Sequence, residues 1–400
     1  MTAEARQPAS LDLGELRFDE GGHLLVKRAL RELNPGERLL VTGSSTELAL
    51  HLTAWCREQG HGFERGVGRG VAGVLVRGSA ELGRWRGAER SGGRAEVVDE
   101  PPAHWGLAAR GASVEAGAPA FEFRLSRKDE LWADSLEQLY RQAAAAQWDP
   151  DAALPWDLEF ELPEEVEDAV VQVMTYLIEN ENAALTVPAR FLGQVHPHFK
   201  EVVQLLAIQV ADEARHVEVF TRRALLKRDQ LGLSTVGGQA SLKTLLDEPD
   251  FALAMFLLSV MGEGSFLSLL WFLRDHAPDA LTREVARMTA QDEARHVAFG
   301  LAHLERHAAL DPTLQPRLRA AIERRSDSLQ HTSGLNEEVF DALVLLAAGS
   351  WEPEALRAGH AKVRQLKADM DRDRQKRLAR LGFTADDAAA LSALHTRNFM

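Results

Sequence analysis

The hexapeptide Asp-Glu-Ala-Arg-His-Val occurs twice, at Asp212–Val217 and Asp292–Val297, each time inside a long segment of helical periodicity. Each copy sets a Glu and a His three residues apart, Glu213 with His216 and Glu293 with His296, which puts both on one helix face. One such pair is ordinary surface chemistry. Two pairs on apolar helices of the same chain point to a shared interior, where a carboxylate is costly unless something compensates its charge.

A binuclear carboxylate site in a four-helix bundle needs two Glu-x-x-His helices and one further Glu from each of two other helices. In an antiparallel hairpin, residues at equal depth are equidistant from the turn. Glu263 and Glu293 have their midpoint at (263 + 293)/2 = 278, which is Pro278. Glu181 and Glu213 have theirs at (181 + 213)/2 = 197, which is Pro197. A helix should end near each proline, so all four Glu fall at one level. Glu181 continues the apolar stripe Val170, Val173, Met174, Leu177, whereas Glu179 lies off it. The third helix has the matching stripe Phe256, Val260, Glu263, Leu267, Leu270. The expected metal ligands are Glu181, Glu213, His216, Glu263, Glu293 and His296. Four carboxylates balance two divalent ions, and this oxygen and imidazole set suits iron or manganese. Asp212 and Asp292 are placed to accept the remaining N–H of a ligand histidine from another helix, with Arg215 and Arg295 anchoring them. Leu177, Phe220, Phe266 and Leu267 are the expected walls of a substrate pocket. His303, two turns beyond His296, reads as a core or surface residue, the other reading being the lining of an access route.

The segment Phe251–Leu273 is apolar enough to cross a bilayer, but Glu263 at its centre and its partner helices favour a buried bundle helix. The bundle helices are expected at 163–195, 198–230, 249–276 and 279–308. A helix at 129–147 precedes them and four shorter ones follow. The longer joints are expected at Gly232–Glu248 and Asp311–Leu314. Upstream, the pattern reads βαβαββ, with strands at Leu11–Phe18, Glu37–Val41, Gly62–Arg65 and Val71–Val76. Helices are expected at Gly22–Leu33 and from Ser44 to Gln59. Residues 79–128 read as a linker with a strand at Ala118–Leu125, so the expected domains are 1–78, 79–128, 129–310 and 311–400. The fold class is multidomain α+β, mainly an all-α four-helix bundle with additional helices behind a small α/β domain.

The segments Thr175–Leu226 and Phe251–Arg306, with their doubled motif, resemble the ferritin-like diiron-carboxylate superfamily. The resemblance implies an O2-dependent oxidoreductase, an oxygenase or oxidase of a small organic substrate working through a peroxo-diiron intermediate. It implies two Fe, or a mixed Mn/Fe pair, O2 as co-substrate, an external electron donor and a redox partner. The alternative is a non-catalytic metal-binding scaffold or adaptor. A stored tyrosyl radical one turn after the first ligand histidine is excluded, because that position is Phe220. The single cysteine, Cys56, excludes a rubrerythrin-type thiolate iron site. The seventh ligand histidine of the arylamine N-oxygenases has no counterpart, since the positions are Gln209 and Thr289. His23–Val41 and Thr53–Glu64 resemble the TusA/SirA-like sulfur-carrier family. That family's active Cys-Pro pair is replaced by Asp19-Glu20, so docking, dimerisation or recognition is expected of the domain, with Cys56 a buried structural residue.

With 46 basic and 60 acidic residues the formal charge is −14, which argues against nucleic acid as a partner. The N-terminal residues lack the pattern of a signal peptide, and one cysteine fits a reducing compartment. A cytoplasmic protein with no membrane association is therefore expected. The apolar run Val339–Leu346 reads as a cap on the bundle, the other reading being a homodimer face.

Overall fold

The computed structural model describes residues 9–67, 71–82, 84–330 and 337–398. The chain divides into two compact units, one of residues 1–94 and 110–119, the other of residues 95–109 and 120–400. The stretch read as a linker is thus shared between the two.

The first unit holds β1 (Ala9–Asp12), α1 (Gly22–Arg31), β2 (Arg38–Thr42), α2 (Leu48–Gln59), β3 (Gly62–Arg65), β4 (Val71–Val76), β5 (Glu89–Arg90) and β6 (Ser113–Val114). The first four strands form one sheet in the order β1-β2-β4-β3, parallel between β1 and β2 and antiparallel elsewhere. Leu39 and Val41 alternate onto one face beside Leu75, where Val26 and Leu30 of α1 and Leu52 and Cys56 of α2 cover them. The strand expected at Leu11–Phe18 ends at Asp12 instead. The Asp12 carboxylate accepts the Gly14 N–H at 3.0 Å and the Thr42 hydroxyl at 3.0 Å, which turns the chain. Phe18–Glu20 is a 3₁₀ turn.

The second unit is helical. It contains α3 (Lys128–Leu131), α4 (Leu136–Ala145), α5 (Pro150–Ala153), α6 (Glu164–Leu192), α7 (Lys200–Ala224), α8 (Val236–Leu246), α9 (Phe251–Met255), α10 (Gly264–His276), α11 (Ala280–Leu310), α12 (Leu314–Leu329), α13 (Glu337–Ala348), α14 (Pro353–Arg380) and α15 (Ala385–Asn398). Between α9 and α10 the residues Phe256–Glu263 form a π-helical segment, so Phe251–His276 is one continuous rod. The bundle consists of α6, α7, this rod and α11, packed as the hairpins α6/α7 and α10/α11. Pro197 and Pro278 lie in the two short turns. α6 runs through Pro188 to Leu192.

Four further expectations change. The helix at 129–147 is two, because Leu131, Ala133 and Leu136 are all buried and that spacing fits no single helical stripe. No strand forms at Ala118–Leu125, where only Leu125 pairs, by a single bridge to Val195. The joint before Glu248 contains α8, capped by Thr235 and pressed inward at Gly237, Gly238, Ser241 and Leu245. The four C-terminal helices are not all short, since α14 has 28 residues. Val339, Leu343 and Leu346 of α13 are buried among the α6 side chains Val166, Val170 and Val173.

The apolar interior of the bundle falls into two clusters. One gathers around Val187, Leu205, Met255 and Phe299, the other around Val173, Phe220, Leu270 and Ala286. On every bundle helix the break between them is where the Glu and His residues stand.

Candidate metal centre

Helix periodicity aims the six residues at one layer. Each Glu sits where an apolar stripe would otherwise continue, and the hairpin turns set its depth. Glu181, Glu213, His216, Glu263, Glu293 and His296 are all at least nine-tenths buried. Glu179 is half-buried and outside the layer.

Two ligand sets emerge. Glu181, Glu213, His216 and Glu293 offer atoms within 4.8 Å of one another, and so do Glu213, Glu263, Glu293 and His296. Glu213 and Glu293, the carboxylates of the repeated motif, are common to both. Glu181 with His216, and Glu263 with His296, close the two ends. The inner nitrogens face the carboxylates: His216 Nδ1 is 3.0 Å from Glu213 and 3.3 Å from Glu293, and His296 Nδ1 is 3.0 Å from Glu213.

The outer nitrogens cross over. His216 Nε2 meets Asp292 at 3.2 Å, and His296 Nε2 meets Asp212 at 3.2 Å. Each motif's aspartate therefore orients the other motif's imidazole, which fixes Nδ1 as the inward nitrogen. Arg215 bridges the two aspartates, at 2.5 Å from Asp212 and 2.9 Å from Asp292, and Arg295 pairs with Asp292. Three further contacts were not foreseen. Gln147 donates to Asp212 at 2.7 Å, and the Trp148 indole donates to Asp292 at 2.8 Å. Gln209 donates to Glu263 at 3.1 Å. Gln209 carried a signal, standing one turn before Glu213 on the same face. Gln147 and Trp148 carried none, because they follow the end of α4 and only the folded chain brings them here.

Burial pushes the Glu181 carboxyl well above the usual range, and Glu213 and Glu293 push it further. Glu263 is raised by burial, then by Glu293 and Glu213. Burial alone would raise Glu213 too, but the imidazoles of His296 and His216 outweigh it and hold Glu213 well below. Burial opposes charge on both imidazoles. Even so, His216 is raised well above its ordinary value by Asp292, Glu181, Glu213 and Glu293, and His296 by Glu213, Glu293 and Asp212.

The donor set fits divalent metal ions. Glu181 Oε1, Glu263 Oε2 and both Glu293 oxygens are buried with no hydrogen-bond partner. Orphaned buried acceptors converging on one spot are rare unless something binds them. Hard carboxylate oxygens with two imidazoles and no thiolate suit iron or manganese.

Leu177 lies one turn before Glu181 and Phe220 one turn after His216, both fully buried. The rings of His216 and Phe220 are 6.5 Å apart. Phe266 and Leu267 are only half-buried, Phe266 against Tyr176. The extra residue of the π segment rotates everything after it, so a strict 3.6-residue stripe does not hold across Glu263.

No family model matches the sequence, and none of the curated proteins is similar to it. Among solved structures, similar chains are variants of an R2-like ligand-binding oxidase. One with aerobically reconstituted Mn/Fe cofactor shares 17% identity at a TM-score of 0.42, covering 67% of this chain and 95% of that one. Another, anaerobically reconstituted, shares 18% at 0.43, covering 67% and 94%. A third, aerobically reconstituted, shares 16% at 0.45, covering 67% and 95%.

Proposed function

We propose that this chain is a dimetal-carboxylate oxidoreductase, an oxidase or oxygenase that uses O2 on a small organic substrate. The observation that carries the reading is the pair of four-residue ligand sets sharing Glu213 and Glu293. Glu181 and His216 would hold one ion, Glu263 and His296 the other, and the two motif glutamates would span both. Two iron ions, or manganese with iron, supply reductive activation of O2 when an external donor provides electrons.

The chain's own residues then have defined work. Asp212 and Asp292 hold the imidazole Nε2 protons, so that both Nδ1 lone pairs point inward. Arg215 pairs with both aspartates and keeps them in register. Gln209 orients the Glu263 carboxyl. The apolar clusters on either side exclude water, which strengthens every charge interaction within the layer. Phe220 and Leu177 present apolar surface beside His216 and Glu181, as a small organic substrate would need. The role proposed for the sheet-bearing unit is docking or recognition, since no thiol stands at Asp19-Glu20.

The test is metal content by mass spectrometry on wild type and Glu263→Ala, then rapid mixing of the ferrous protein with O2. About two metal ions per chain, reduced in the variant, with a transient optical band on mixing, is the expected result. No stoichiometric metal in the wild type would sink the reading.

A further inference from the structure

We propose that Arg377 of α14 is a positioning residue for the metal centre, holding from outside the bundle the π-helical turn that presents Glu263. The inference rests on reading the six residues as a metal site, and it concerns how one of the two ligand sets is kept in place.

The π segment is where the rod departs from regular α geometry. The Gly264 N–H reaches back five residues to the Ser259 carbonyl. A wide turn of this kind is poorly stabilised by its own hydrogen bonds and persists where the surroundings hold it. Here the surroundings are two arginines one turn apart on α14. Arg377 Nε donates to the Val260 carbonyl at 2.8 Å. Arg374 Nη1 donates to the Ser265 hydroxyl at 2.9 Å, and that hydroxyl donates to the Met261 carbonyl at 2.8 Å. The carbonyl three residues before Glu263 is therefore held directly by a helix that contributes no ligand, and the next one through a rod hydroxyl that the same helix engages. Buried carbonyls without donors would be costly, so these contacts favour the π form over a regular turn.

Gly264 shows how closely the brace fits. A Cβ at that position would lie 2.5 Å from the Arg377 Cζ and Nε, so only glycine lets the guanidinium lie against the rod. Burial of that guanidinium has a cost, which pushes its pKa down to about 10. Its function is local. Glu263 belongs to only one of the two ligand sets, whereas Glu181, on α6, belongs to the other. Loss of the brace should therefore loosen one metal position and spare the other.

The experiment uses the full chain with Arg377→Gln, Arg377→Lys and Gly264→Ala. The first readout is amide hydrogen exchange in the metal-free protein. Arg377→Gln and Gly264→Ala should accelerate exchange across residues 256–265 and leave α7 unchanged. Arg377→Lys, which keeps a cationic donor, should restore most of the protection. The second readout is Mn(II) titration followed by electron paramagnetic resonance. One of two positions should weaken by about tenfold or more, as for loss of other groups that orient a ligand, and the other should stay at wild-type affinity. Unchanged exchange at 256–265 in both Arg377→Gln and Gly264→Ala would overturn the proposal. So would equal weakening of both positions with faster exchange in every bundle helix, since that is general loosening. A wild type that binds no Mn(II) would sink the metal reading, and the exchange measurement would still decide whether Arg377 holds the turn.

Discussion

Asp292 and Asp212 show how much one side chain can decide without touching a metal. Each fixes which nitrogen of a histidine faces the carboxylate layer. Asp292→Asn retains the shape but removes the charge that draws the His216 Nε2 proton, and should weaken metal affinity about 10- to 100-fold. A chelator-competition titration with Zn(II) checks this, and an unchanged affinity would remove Asp292 from the site. A second expectation concerns pH. Glu181, Glu263, His216 and His296 are all raised in the folded chain, so these groups must shed protons before they can ligate. Metal affinity should therefore rise with pH, and loading should acidify a weakly buffered solution. Affinity independent of pH would contradict the assigned directions. His303 titrates in the other sense. It is fully buried between Phe251 and Phe299, and burial, then His307, lowers it from 6.5 to about 3. Its contribution to stability is complete above 6.5 and is lost as pH falls toward 3, because only the unfolded chain accepts the proton. His303→Phe should make the decline of Tm between pH 6.5 and 4 shallower, and a decline as steep as in the wild type would count against this account.

At the scale of elements, each bundle helix carries a polar layer that it could not bury alone, and close packing makes the layer possible. A Cβ on Gly300 of α11 would lie 2.3 Å from the Ser259 Cβ, so α11 meets the π segment at backbone distance. A second buried polar knot ties the other end of the bundle together. Arg223 of α7 donates to Glu167 of α6 at 2.6 Å, and to Asp279 at 2.9 Å and Thr282 at 2.7 Å at the start of α11. All four residues are buried. Removing the cation would leave two buried carboxylates uncompensated, so Arg223→Met should destabilise the protein by about 3–5 kcal/mol, measured by denaturant unfolding. A loss below about 1 kcal/mol would mean that water already reaches the site.

At the scale of the molecule, the two units differ in what they bury. The helical unit buries a charged layer between two apolar halves. The sheet-bearing unit buries a small apolar core in which Cys56 is closed off, its thiol pushed up to about 12 by burial. A thiol reagent should therefore leave the native protein almost unlabelled and modify it only on unfolding. Rapid native labelling would reopen a reactive role for Cys56. Much of the helical unit was legible in the sequence, because its information is local and periodic. The doubled hexapeptide, the apolar stripes and the prolines at the hairpin midpoints each report depth along a helix, and so the identity of the six converging residues. The strands β2, β3 and β4 were legible for the same reason, from alternation and turn residues. What the folded chain alone decided lies where the period breaks or where distant segments meet. The π segment adds a residue that no 3.6-residue count contains, which moves Leu267 off its expected stripe. Gln147 and Trp148 reach the aspartates, and Arg377 reaches Val260, across long sequence separations that leave no periodic trace. Periodicity encodes a residue's face and depth on its own helix, while the partner waiting there is set only when the helices pack.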